Sequence, residues 1–311
     1  SVMFHGSELD SAAIPRLWVW HPAIAPVLCD NWHQLCFNRK VRVNRRPPPW
    51  TRLSWIDPCI GVPSLGSAQP PPLRRLDPAH RFAWSPTVIF RQLFDRESCT
   101  YTYVLGCEVS QEAVLIDPVQ SLKDRDSLLL EQLGLKLVYT LETHVHADHV
   151  TSSGQFRISH GSKSVVSAAG GAPCADVPVR HGDLIRFGEH ALEVRATPGH
   201  TNGCVAYVDH AGERVFTGDT LMIRGCGRTD FQQGSAANLY KSVHEQIFSL
   251  DDGFAIYPGH DYNGRTSSTV AEEKAFNPRL GGGRSAAEFQ QIMDNLKLAN
   301  PKMMHIAVPA N

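Results

Sequence analysis

The 311-residue sequence has no run approaching about eighteen consecutive apolar residues, so no membrane-spanning helix is expected. It has almost no net charge, −1 at pH 7, which gives no reason to expect a nucleic-acid partner. It has eight cysteines, Cys29, Cys36, Cys59, Cys99, Cys107, Cys174, Cys204 and Cys226, but none forms a CxxC pair. They are too thinly spread for a secreted disulfide framework, which points to a reducing compartment and mostly free thiols. Residues 1–85 are short of acids and lack any sustained helical or strand period. Instead they hold all six tryptophans, proline clusters at Pro47–Pro49 and Pro70–Pro72, and basic pairs such as Arg45-Arg46 and Arg74-Arg75. Proline this dense blocks both strand ladders and helices. Two readings stay open for this part, an organelle-targeting leader and a poorly ordered segment. Asp10, Asp30 and Asp57, and the lack of a clear amphipathic helix, weigh against the leader.

The texture changes at Thr87. Val88–Phe94, Cys99–Leu105 and Ala113–Asp117 read as three strands of an antiparallel meander. Leu122–Leu133 reads as a helix with Leu128, Leu129 and Leu133 on its apolar side, stopped by Gly134. The apolar run Leu137–Leu141 reads as a buried strand. Beyond it, a short helix over Val150–Ile158 and strands at Ser164–Ser167, Asp183–Phe187, Leu192–Ala196, Val205–Val208, Arg214–Asp219 and Phe254–Tyr257 are predicted. Ala236–Ile247 looks helical. Thr269-x-x-Glu272 and Ser285-x-x-Glu288 have the form of capping boxes, and Phe289, Ile292, Met293 and Leu296 mark the buried stripe of a last helix.

The organising stretch follows the strand at 137–141: Thr143-His144-Val145-His146-Ala147-Asp148-His149. Alternation along an extended chain points His144 and His146 the same way, and Asp148 and His149 fall in the turn. A lone histidine in a loop is ordinary surface chemistry. Four imidazole and carboxylate donors at this spacing are the donor chemistry of zinc, iron or manganese. The pattern then recurs, because His200, Asp219 and His260 each follow an apolar strand and each is preceded by glycine, at Gly199, Gly218 and Gly259. Strands of one sheet opening at a common edge would gather these loops, and the interspersed helices imply a layered α/β fold.

His144-x-His146-x-Asp148-His149 with His200, Asp219 and His260 in this order resembles the signature of the metallo-β-lactamase superfamily. That resemblance implies a four-layer αβ/βα sandwich with its site at one sheet edge. A more specific string, Ile223–Gly234, together with Ala196–Thr201, Ile256–Tyr262, Asn277–Leu280 and Ala307–Asn311, is similar to the persulfide dioxygenases within it. The resemblance covers residues 86–311, which are expected to form the catalytic domain.

The resemblance implies one ferrous ion, Fe(II), per chain, held by His144, His200 and Asp219. Two imidazoles and one carboxylate form a facial triad that leaves positions open. It also implies glutathione persulfide and O2 as substrates, sulfite and glutathione as products, and no nucleic-acid or membrane partner. A homodimer and the mitochondrial matrix fit the same resemblance, and the cytoplasm is the other compartment considered. His146, Asp148, His149 and His260 would then orient the ligands rather than bind metal. The alternative is a dinuclear centre using those four side chains, giving a thioester hydrolase of the glyoxalase II kind. The Ile223–Gly234 string and the short stretch after Leu298 disfavour it. A metal-binding chain without turnover is a further alternative, disfavoured because no ligand is missing. Arg228, Tyr262 and Arg279 are proposed contacts for a tripeptide with two carboxylates. For Arg228 a structural ion pair with Asp230 is the competing reading. Cys226 is a candidate pocket thiol whose simpler reading is a small buried hydrophobe, and Phe231 is expected in the core.

Overall fold

Strand β2 (Tyr101–Cys107) is buried at every position, as a strand covered on both faces must be. It is antiparallel to β1 (Val88–Phe94) and to β3 (Glu112–Ile116), so the expected meander is present. The computed structural model describes residues 87–311, so the two readings of residues 1–85 fall outside the described part. Helix α1 (Lys123–Gln132) carries the chain from β3 to the parallel strand β4 (Lys136–Leu141). Helix α2 (Ser153–His160) then leads to β5 (Lys163–Ser167), parallel to β4, and β6 (Val177–Val179) completes a six-stranded sheet in sequential order.

A second sheet has six strands: β7 (Leu184–Phe187), β8 (His190–Ala196), β9 (Val205–Asp209), β10 (Arg214–Gly218), β11 (Ala255–Pro258) and β12 (Ser268–Thr269). Only β10 and β11 pair in parallel; helix α3 (Ala236–Ser242), extended by a π-helical turn over Val243–Ile247, lies between them in sequence. Helices α4 (Val270–Phe276), α5 (Ala286–Asp294) and α6 (Met304–Ala310) follow.

Three apolar clusters make the layers. Tyr103, Leu105, Ile116 and Leu141 of the first sheet meet Phe187, Val194, Tyr207 and Phe216 of the second. The outer face of the first sheet, with Val104, Leu115 and Leu137, packs on Leu130 of α1 and Phe156 of α2. The outer face of the second, with Val208, Val215 and Ile256, packs on Leu239, Val243 and Phe289. The result is helix–sheet–sheet–helix, the αβ/βα sandwich expected.

Several local expectations change. On α1 the buried positions are Asp126 and Leu130, while Leu128 is exposed. Leu129 and Leu133 pack against the outer core as expected, so only Leu128 leaves the stripe, and the buried Asp126 beside Leu130 is paired with Arg125. Gly134 does end the helix, at φ +65°. Ser285 and Glu288 form a full capping box, whereas at Thr269 only the side-chain bond to the Glu272 amide is made. Strands β6 and β12 are too short to show a period. Helix α6 contains Pro309 near its end. The five cysteines among the described residues are free, and no helix among those residues is long and apolar enough to cross a membrane.

The burial of Leu130 and exposure of Leu128 have a measurable consequence. Leu130→Ala should destabilise the protein by about 2–5 kcal/mol, as removal of a buried leucine does. Leu128→Ala should stay within about 0.5 kcal/mol, as exposed positions do. Urea unfolding of the two variants checks this, and equal losses would contradict it.

Candidate metal centre

The loop after β4 carries His144, His146, Asp148 and His149. The loops after β8, β10 and β11 carry His200, Asp219 and His260. These last three strands run the same way, because β8 and β10 are both antiparallel to β9 and β11 is parallel to β10. The donors therefore gather at a common edge, but that edge belongs to two facing sheets rather than to the single sheet expected. Gly199 at φ +144° and Gly218 at φ +51° adopt backbone that other residues avoid, which lets the chain turn directly ahead of His200 and Asp219.

His144, His200 and Asp219 offer three donor atoms within 4.8 Å of one another, all buried. His200 Nδ1 lies 2.8 Å from the carbonyl of Arg228, which can only accept, so this nitrogen carries a proton and Nε2 is the atom turned toward the set. Nε2 lies 3.6 Å from Asp219 Oδ2. His144 is oriented by a relay. The Thr143 hydroxyl donates to Asp117 Oδ2 at 2.8 Å and in turn accepts from His144 Nδ1 at 3.0 Å. Burial, and then the neighbouring His146 and His200 rings, hold His144 well below the usual histidine range, in the neutral form that a metal requires. Asp219 Oδ1 is buried without a hydrogen-bond partner among the described residues. Buried polar atoms are seldom left so. Two imidazoles and a carboxylate with an unsatisfied oxygen around one point fit a divalent ion.

A second set, His146, Asp148 and His260, also lies within 4.8 Å; some of its atoms are hydrogen-bonded, while His146 Nδ1 is buried without a partner among the described residues. Asp148 Oδ2 accepts from the Thr100 hydroxyl at 3.2 Å and meets His149 Nδ1 at 2.9 Å. His146 Nε2 sits 3.1 Å from Asp117 Oδ1 and 3.4 Å from Glu142 Oε2. Burial alone would depress the His146 pKa, but Asp117 and Glu142 raise it well above its usual value. His260 Nε2 lies 3.6 Å from both Asp148 Oδ2 and Asp219 Oδ1. Here too burial works downward, and Asp219 and Asp148 outweigh it. His149 falls outside the second set.

Asp117 and Glu142 were not among the expected site residues. Asp117 reads in sequence as the end of a strand before a proline, yet it is fully buried at φ +50° and also accepts the Thr143 amide at 2.7 Å. Glu142 accepts the hydroxyls of Thr151 and Ser153. A buried acid is invisible in sequence unless its neighbours in space are known. The Asp-Pro and Glu-Thr-His contexts gave only position.

A cavity of about 790 Å³ opens over the His144, His200 and Asp219 donors, with Tyr262 and Arg279 among its lining residues. Tyr262 is exposed and stacks on His260 with ring planes 9° apart and centroids 6.0 Å apart. Arg279 donates from Nη1 to the Cys226 carbonyl at 2.9 Å. Arg228 forms a bidentate pair with Asp230 at 2.6 and 2.8 Å and donates to the Ala299 carbonyl, so its guanidinium is engaged within the chain while its backbone orients His200. Cys226 lines the cavity and is also packed as a small buried hydrophobe. Its Sγ is 3.9 Å from Met293 Sδ, it belongs to the outer core of the second sheet, and burial pushes its thiol up to about 11. Phe231 is corrected, being half-buried in the cavity wall rather than in the core.

With this geometry in hand, relatives can be compared. The model of the metallo-beta-lactamase superfamily matches residues 99–260. The chain is 56% identical over 225 residues to the mitochondrial persulfide dioxygenase ETHE1 of Mus musculus, covering 72% of this chain and 87% of that protein. Identity to the Homo sapiens protein of the same name is 54% with the same coverage. The crystal structure of ETHE1 from Myxococcus xanthus superposes with a TM-score of 0.70 at 52% identity, covering 72% of this chain and 97% of that one. The chain belongs to the persulfide dioxygenase family of the metallo-β-lactamase superfamily. For a member of this family, the Ile223–Gly234 string has a structural reason: it includes Gly227 and Arg228, whose backbone packs against His200.

A Cβ on Gly227 would lie 2.8 Å from the His200 ring and 2.7 Å from the Asp219 carbonyl. Gly227→Ala should therefore displace two donors at once. Metal retained per folded chain should fall by about tenfold or more, as when a metal ligand loses its orienting partner. Elemental analysis after gel filtration, with circular dichroism to confirm folding, measures this; full occupancy would contradict it.

Proposed function

We propose that this chain is an iron-dependent dioxygenase that converts glutathione persulfide and O2 to sulfite and glutathione. The observation that carries the reading is the buried His144–His200–Asp219 set, in a chain 54–56% identical to named persulfide dioxygenases. Ferrous iron held by these three residues would supply the one-electron chemistry that triplet O2 needs to react with a closed-shell sulfur, on a triad with open positions.

The chain's own residues have separable parts in this reading. The Arg228 carbonyl and the Thr143 hydroxyl hold protons on the Nδ1 atoms of His200 and His144, which aims both Nε2 atoms at the site. Asp219 contributes the one carboxylate of the set. His146 and His260 each face two carboxylates, which favours protonated or proton-donating rings and so suits them to orienting roles. Arg279, and Tyr262 beside His260, line the cavity where the tripeptide would lie. Arg279 is the contact favoured for a glutathione carboxylate, since Arg228 already binds Asp230. The mitochondrial names of the mouse and human relatives support the mitochondrion as the compartment. The glyoxalase II alternative has less support, because the mouse and human relatives are named persulfide dioxygenases.

Purified protein should hold about one iron per chain, as one facial triad requires, and should consume O2 when given glutathione persulfide. Two zinc ions with rapid hydrolysis of lactoylglutathione would overturn the reading. Asp219→Ala and His200→Ala should each abolish iron binding and O2 uptake while leaving the circular dichroism spectrum unchanged. Arg279→Ala should raise the persulfide KM more than it lowers kcat, because it removes binding common to ground and transition states. An unchanged KM in steady-state oxygen-electrode assays would exclude Arg279 as a contact.

A further inference from the structure

The residue that follows helix α6 spends its whole side chain on the loop that carries His144, His146, Asp148 and His149. Asn311 Nδ2 donates to the carbonyls of His146 at 3.0 Å and His149 at 2.9 Å, and Asn311 Oδ1 accepts from the Thr151 amide at 2.9 Å. A carboxamide has two N–H donors and one carbonyl, and all are used here on backbone 160 to 165 residues away in sequence. No backbone N–H among the described residues reaches either carbonyl. The same terminal stretch, through Leu298, Ala299, Pro301 and Met303, also forms a wall of the large cavity.

We propose that Asn311 is a positioning residue that fixes the backbone of the metal-binding loop, and thereby how long the His144–His200–Asp219 site retains its ion. The metal part of this inference rests on the mononuclear iron reading above. The backbone part does not. A loop pinned at His146, His149 and Thr151 keeps His144 at the end of β4, where the Thr143 relay orients it. Released at those points, the loop keeps its bonds to Asp117 and Glu142 and those from Gln232 to the Val145 carbonyl and from Thr100 to Asp148, but loses every contact at the His146 and His149 carbonyls that the described residues supply.

The test compares wild type with Asn311→Ala and Asn311→Asp. The aspartate has the shape of asparagine and keeps the acceptor for Thr151, but turns both donors into acceptors against two carbonyls. In metal-free protein, hydrogen exchange of the amides at 144–151 should be faster in both variants, and at least as fast in Asn311→Asp as in Asn311→Ala. In iron-loaded protein, transfer of iron to a ferrous chelator should be about ten- to a hundredfold faster, the usual consequence of losing an outer-shell partner. The persulfide KM should not change. Wild-type exchange and transfer rates in both variants would overturn the proposal. So would a lowered melting temperature with unchanged iron transfer, which would mark Asn311 as a packing residue. An Asn311→Asp variant that behaves as wild type would also overturn it, since the donated bonds would then be irrelevant. If wild type itself binds no iron, the mononuclear reading fails. The exchange comparison on metal-free protein then still decides the backbone claim.

Discussion

The carboxylate of Asp117 ties the two halves of the metal-binding loop together. One oxygen takes the Thr143 amide and His146 Nε2, and the other takes the Thr143 hydroxyl that orients His144. A buried carboxylate is costly unless its lone pairs are satisfied, and here the groups that satisfy it are the ones that set the site. Asp117 sits in left-handed backbone, a cost of about 1–3 kcal/mol that persists only where the surroundings over-determine the conformation. Because β3 and β4 are parallel neighbours, the strand carrying this acid ends beside the strand carrying the histidines.

The two-sheet architecture explains why one chain can assemble donors from such distant segments. Each sheet contributes strands whose carboxyl ends open at the same edge, and the aromatic core between the sheets fixes their separation. Phe90, Tyr103, Phe216 and Tyr257 form a connected group with ring centroids 5.0–6.2 Å apart. The Tyr103 hydroxyl donates across the sheets to the carbonyl of Pro258, two residues before His260. Packing and site geometry are therefore coupled through the same side chains. A cavity of about 790 Å³ above the donors leaves room for a substrate much larger than dioxygen.

Much of this was legible from residue order. His144, His200 and Asp219 follow apolar strands, and a strand that ends in a donor-bearing turn is visible without coordinates. The layered class followed from strands interspersed with helices. What stayed hidden depends on neighbours in space. Nothing local distinguishes Asp117 and Glu142 from strand-terminal acids. Leu128 and Leu130 are interchangeable in a run of three leucines until the face that meets the sheet is known. Arg228 carries the most specific string, but its contribution to His200 comes from a backbone carbonyl, which no side-chain pattern reports. The two-sheet sandwich came from the family resemblance and not from alternation, which reveals a buried face and not the partner that covers it.

The central claim is that one ion occupies the His144–His200–Asp219 set. Anomalous diffraction at the iron edge, from crystals loaded anaerobically with ferrous salt, tests it most directly. The account predicts a single peak within bonding distance of His144 Nε2, His200 Nε2 and an Asp219 carboxylate oxygen. A peak among His146, Asp148 and His260, or two peaks of comparable height, would contradict it.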